Sequence, residues 1–215
     1  MVIIGLTGSI AMGKSTASNA LRRMGLPVHD ADLTVHQLQS AGGRALPAIE
    51  RAFPGTTGPE GLDRAKMRQL AFHDPTVLST LEAIVHPLVK AAESRFLKAC
   101  ARRQVPMAVL DIPLLFETGG EGRCDLVGVV SAPSFIQRAR VLRRSTMTRQ
   151  TLDAILARQM PDVEKRRRAD VVIPTGLSRA QALPAIRRLV DLASRHRGGA
   201  WPPNAYRTRL RRRHA

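Results

Sequence analysis

Gly8-Ser9-Ile10-Ala11-Met12-Gly13-Lys14-Ser15 meets the spacing G-x-x-x-x-G-K-[ST] in full. Oligophosphates need several converging N–H donors, and glycine lets a backbone curl closely around them before a helix N-terminus adds its dipole. In such a loop Gly8, Ala11, Met12 and Gly13 form the cradle, and Lys14 reaches the β- and γ-phosphates as a point charge. Ser15 offers its hydroxyl to Mg²⁺, and Thr16 adds one near the α-phosphate. The chemistry implied is phosphoryl transfer from ATP with Mg²⁺. A phosphate loop names the donor, so the acceptor must be argued from other positions.

Three further groups could act on that phosphate. Asp30-Ala31-Asp32 ends a predicted second strand, where ligands of open α/β sheets gather, and alternation would point both carboxylates the same way. Asp32, nearer the mouth, is the expected base for an attacking hydroxyl; the competing role of either aspartate is helix capping. Asp111 closes the apolar run Met107-Ala-Val-Leu110, the place of a carboxylate that holds magnesium, or of an ordinary turn aspartate. Arg138, Arg140, Arg143 and Arg144 lie on a basic helical stretch; Arg144, then Arg140, are the expected lid arginines, against the commoner reading of a solvated helix face. His86, beside Pro87, is either a core histidine next to a shaped turn or a site residue.

The elements that must position these groups follow from hydrophobic periodicity. Residues 2–7 are a short apolar run fit for a strand buried on both faces, and Lys14–Met24 reads as a helix with Gly25 behind it. A strand starting at Pro27 completes a βαβ unit. From Asp32 to about Ala101 the pattern is helical, broken by the turn-rich stretch 53–61, with helices restarting near Leu62 and Pro75. Runs at 107–112, 126–130 and 171–173 supply three more strands, and helices follow over 134–144, 148–160 and 181–195. The expected fold is α/β: a five-stranded parallel sheet flanked by helices, with a helical acceptor-binding insert and a lid. Its bounds are a kinase unit over 1–197, with core 1–31 and 105–197, insert 32–104, lid 138–150, and a flexible basic tail from 198 to 215.

Composition narrows the partners. The net charge is +17, but seven arginines and no acid lie beyond Ser194, and only five of the 34 basic residues are lysine. With one Trp, one Tyr and five Phe there are few platforms for stacking bases, so nucleic acid is not expected as a partner. No apolar run approaches the length of a bilayer span and the N-terminus lacks a leader pattern, so a cytoplasmic protein is expected, with no membrane partner. Two cysteines are too few for a disulfide framework. A monomer or weak oligomer is expected.

Taken in order, these segments resemble the dephospho-coenzyme A kinase family over residues 2 to about 176. The resemblance rests on Thr7 to Ile10 with Gly13 to Thr16, Asp30-Ala31-Asp32, Leu62-Asp63-Arg64, His86-Pro87 and Asp111-Ile-Pro-Leu-Leu-Phe-Glu117. It continues through Gln137 to Arg144, Ala157-Arg158-Gln159-Met160 and Ala169-Asp170. It implies Mg-ATP as donor, dephospho-CoA as acceptor through its 3′-hydroxyl, Asp32 as base and Arg144 as lid arginine, with His86, Leu114, Leu115 and Glu117 at the acceptor. Two departures stand out. Ala11 replaces a flexible glycine and is expected to avoid positive φ. Ile173-Pro174-Thr175-Gly176 stands where a polar pair often meets the adenine. The competing readings are a kinase of a nucleoside or nucleoside monophosphate and, more remotely, a nucleic-acid-binding ATPase.

Overall fold

In the computed structural model, residues 1–74, 76–144 and 147–202 are described. The chain forms two compact units, one of Met1–His29 with the chain from Cys100 onward, the other of Asp30–Ala99.

In the first unit the strands are β1 (Val2–Thr7), β2 (Val28–Asp30), β5 (Met107–Asp111), β6 (Leu126–Ser131) and β7 (Val171–Pro174), ordered β2-β5-β1-β6-β7. β1 is central because it is apolar on both faces: all six residues are buried, and it pairs in parallel with β5 and β6. Helix α1 (Lys14–Arg23) and the last helix, α9 (Arg179–Arg195), cover one sheet face through Ala17, Leu21, Ile186 and Leu189. Each fully buried Leu or Ile contributes about 1.5–3 kcal/mol. The helices α6 (Ser134–Leu142), α7 (Arg149–Ala157) and α8 (Asp162–Arg167) lie between β6 and β7 in the chain. The helix expected over 134–144 ends at Leu142, and Thr148 caps α7 by accepting from the Thr151 N–H. Ser145 and Thr146, in the expected lid, lie outside the described residues.

α8 was not foreseen, although Pro161 followed by Asp162 and Glu164 is a helix-start pattern. The expected tail boundary also changes. Gly199 and Ala200 donate to Asp125 Oδ1 at 2.6 and 2.8 Å, while Asp125 Oδ2 accepts from the Ile3 N–H, so residues 199–200 are tied to the first strand. Everything beyond Pro202 lies outside the described residues.

The second unit holds α2 (Ala31–Gln39), α3 (Leu46–Ala52), α4 (Arg64–His73) and α5 (Thr76–Arg102). Leu38, Ile49, Met67, Val77 and Val85 form its core. Two expectations fail here. The turn-rich stretch contains a small hairpin, β3 (Thr57–Gly58) with β4 (Gly61–Leu62), braced by Glu50, whose carboxylate accepts from Gly55 N, Thr57 N and Thr57 Oγ1. Pro87 makes no turn: it lies inside the continuous α5, and His86 is exposed there, not a core residue.

Candidate active site

The phosphate loop leaves the carboxyl end of β1 and enters α1 through Gly13, whose φ of 89° admits glycine and few other residues. Gly8 is required for a different reason. A Cβ there would lie 2.3 Å from Val130 Cγ2 and 2.7 Å from Val130 O, so the loop can run against β6 only without a side chain. No side chain caps α1 and no acid stands in its first turn, so its N-terminal amides and dipole face an incoming anion.

Ala11 adopts φ 58°, against the expectation that it would avoid positive values. The left-handed region costs a non-glycine residue roughly 1–2 kcal/mol, and surrounding contacts must hold it there. Those contacts come from far along the chain. Ile10 N donates to Gln159 Oε1 at 3.1 Å, and Ile10 O accepts from Gln137 Nε2 at 2.9 Å. Arg140 donates to Ala11 O at 3.4 Å and to Thr175 O at 2.5 Å. Thr175 Oγ1 lies 2.5 Å from Met12 O, and the Met12 sulfur accepts from the Ala132 N–H at 3.1 Å. Arg140, expected as a lid arginine over phosphate, here bonds two backbone carbonyls. Met12 is buried, so its side chain is a core plug and only its backbone belongs to the cradle.

Lys14 Nζ lies 2.5 Å from Asp111 Oδ1, joining the loop to the end of β5; Asp111 is buried and Lys14 nearly so. Ser15 is exposed and Thr16 half-buried in the first turn of α1. The segment after β5 carries the other residues expected near the acceptor. Leu114 is exposed, whereas Leu115 has no exposed surface and fills space beside Gly5 and Gly120. Glu117 Oε1 accepts from the Met160 N–H and from Lys165 Nζ, both at 2.8 Å, and Lys165 is wholly buried. Burial raises the Glu117 pKa, but the Lys165 hydrogen bond, amide donors and the lysine charge outweigh it and hold the carboxyl below its usual range. Arg144 is exposed just past α6, and Arg138 pairs with Asp153 across α6 and α7 at 3.3 Å.

β2 ends at Asp30 and α2 begins at Ala31, so strand alternation does not extend to Asp32. Asp30 caps α2, accepting from the Leu33 N–H at 3.0 Å; Asp32 is exposed in the first turn. Asp63 caps α4 through the amides of Ala65 and Lys66, and Arg64 lies 3.1 Å from His36 Nδ1. A pocket of about 450 Å³ is lined by Leu62, Met67, Ala71, Leu78 and Leu81 together with Arg64 and Arg68.

Gln137, Gln159, Thr175 and Lys165 were assigned no role from sequence. The two glutamines stood within the segments that carry the family resemblance, and that was their only signal.

Comparison with known proteins gives one consistent result. The profile of the family described as Dephospho-CoA kinase matches residues 2–179. A Dephospho-CoA kinase of Paramagnetospirillum magneticum is 60% identical over 166 residues, 77% of this chain and 78% of its own. One from Rhodopseudomonas palustris is 50% identical over 91% of this chain and 97% of its own. A crystal structure from Thermus thermophilus superposes with a TM-score of 0.76 at 37% identity, covering 91% of this chain and 98% of that one.

Proposed function

The chain belongs to the dephospho-CoA kinase family, and on that premise we propose a role for each residue of its site. It transfers the γ-phosphate of ATP to dephospho-CoA, the final step of coenzyme A synthesis. The observation that carries the assignment of roles is the phosphate loop at the carboxyl end of β1, with Lys14 Nζ 2.5 Å from the buried Asp111.

Lys14 exchanges its carboxylate partner for the β- and γ-phosphates and neutralises charge as the γ-phosphoryl leaves. Ser15 Oγ and Asp111 are hard oxygen donors, a fitting pair for Mg²⁺, which prefers few protein ligands and keeps waters and phosphate oxygens. Bound there, Mg²⁺ would supply neutralisation of phosphate charge. Asp32 accepts the proton of the 3′-hydroxyl. Support comes from its neighbour: Asp30 serves as the α2 cap, and Asp32 is exposed. Arg144, exposed between α6 and α7, covers the transferring phosphoryl.

The pocket of the second unit takes the pantetheine arm: its lining is largely apolar, and Arg64 and Arg68 suit the acceptor's diphosphate. His86 and Leu114 are further acceptor contacts. Glu117 and Leu115 support the segment between them from within. The chain works in the cytoplasm as a monomer or weak oligomer; among the described residues no helix is long and apolar enough to cross a membrane.

Steady-state turnover with dephospho-CoA, AMP, adenosine and shikimate tests the acceptor, and Asp32→Asn tests the base. The expected result is ADP release with dephospho-CoA alone, and a kcat lowered on the order of 10²–10⁴-fold in the variant with KM for ATP little changed. Full turnover by Asp32→Asn removes the aspartate from the mechanism.

A further inference from the structure

The phosphate loop is gripped from outside at three successive carbonyls. Ile10 O accepts from Gln137, Ala11 O from Arg140 and Met12 O from Thr175. The three peptide bonds are trans, and a planar trans peptide sets its N–H opposite its C=O. Each carbonyl held outward therefore turns the next amide, of Ala11, Met12 and Gly13, toward the loop's interior. Met12 N closes the turn on Ser9 O at 3.1 Å, and the amides of Ala11 and Gly13 aim at the space a phosphate would fill. Ile10 is held at both ends by distant side chains, its carbonyl by Gln137 and its amide by Gln159.

We propose that Gln137 and Gln159 form an amide clamp on Ile10 that sets the phosphate cradle in its binding shape and ties it to α6 and to the end of α7. Both are positioning residues; neither touches substrate. The orientation of the two side-chain amides is forced. A backbone carbonyl only accepts, so Gln137 must present its NH₂; a backbone N–H only donates, so Gln159 must present its oxygen. Gln137 is buried, and with Arg140 three residues on it forms one face of α6 laid along the loop. Gln159 lies just past the end of α7. The exposed turn bearing Arg143 and Arg144 is thus flanked on both sides by residues that hold Ile10, and a shift of either helix is passed to the cradle. This inference rests on the nucleotide reading of the loop.

The opposed polarities make one chemical change act in two ways. Gln137→Glu removes the donor and sets a carboxylate against a carbonyl, whereas Gln159→Glu keeps an acceptor for the Ile10 N–H. Both add one negative charge beside the same residue, so general repulsion of the triphosphate is matched between them. Binding of the non-hydrolysable β,γ-imido analogue of ATP with Mg²⁺ is measured calorimetrically on the full chain, beside the KM values for ATP and dephospho-CoA.

The expected result is affinity at least tenfold weaker for Gln137→Glu than for Gln159→Glu, KM for ATP rising in step, and KM for dephospho-CoA within twofold of the unsubstituted protein. Gln159→Met, an apolar isostere, should bind at least fivefold more weakly than Gln159→Glu. If Gln137→Glu does not fold, Gln137→Met replaces it, with the same tenfold loss expected. Equal affinities for the two glutamate variants, or Gln159→Met binding as well as Gln159→Glu, overturn the clamp. No binding of the analogue by the unsubstituted protein instead overturns the nucleotide reading beneath it.

Discussion

Glu117→Ala strips the carboxylate from a lysine that has no exposed surface. In the folded protein Lys165 Nζ sits 2.8 Å from Glu117 Oε1, and its other acceptor is Pro113 O at 3.4 Å. Removing one partner of a buried pair costs about 3–5 kcal/mol because the remaining charge stays desolvated. Glu117 keeps 14% of its side-chain exposure, so water can partly reach the vacated space and the lower end, about 3 kcal/mol, applies. For a chain of 215 residues that lowers Tm by roughly 6–12 °C. The double variant Glu117→Leu with Lys165→Met replaces the pair by apolar groups and should recover most of this, since the desolvation penalty goes with the charges. Thermal unfolding of the four forms gives the coupling, and steady-state turnover of each gives KM for dephospho-CoA. A pillar predicts a large fall in Tm with KM within about threefold. A Tm shift under about 2 °C together with a tenfold rise in KM for dephospho-CoA would refute the reasoning and return Glu117 to the acceptor.

Gly8→Ala should abolish nucleotide binding or folding, because its Cβ meets backbone as well as side-chain atoms of Val130 and neither can yield; calorimetry beside a melting curve reads both. Ala11→Gly should raise Tm by about 2 °C, since removing the Cβ at φ 58° relieves more than the added unfolded-chain freedom costs; a fall in Tm would show that the positive φ carries no strain. The protein should lose stability in acid. Thr57 and Gly55 hold Glu50 below its usual pKa, Thr76 does so for Asp74, and Glu117 is lowered against its burial by Lys165. A carboxyl whose folded pKa is depressed contributes stability above its unfolded pKa and loses it as pH falls through the folded value. Tm should therefore be flat above about pH 5 and fall below about pH 4, with a shallower fall in Glu50→Gln.

The local features of this protein were legible in its residue order because local chemistry dictates them. Four of the five strands of the main sheet are apolar runs bounded by glycine, proline or charge, and the strand, glycine loop and helix that hold a phosphate are contiguous. Lys14 and Asp111 could be placed because each occupies the end of such an element. Which strands adjoin, and in which order, was decided by the tertiary structure: β1 became central by pairing with strands that follow it by about a hundred residues. Two of the misses share that cause. Ala11 holds a positive φ because residues more than a hundred positions away fix its neighbouring carbonyls, and no propensity scale carries that information. Lys165 reads as a surface residue until its carboxylate partner 48 positions earlier is seen to enclose it. The hairpin at 57–62 is too short for strand periodicity, and α8 at six residues too short for a helical one. Side chains that bind across the chain are set by geometry alone, since a hydrogen bond between residues 10 and 159 leaves no periodic trace in either segment.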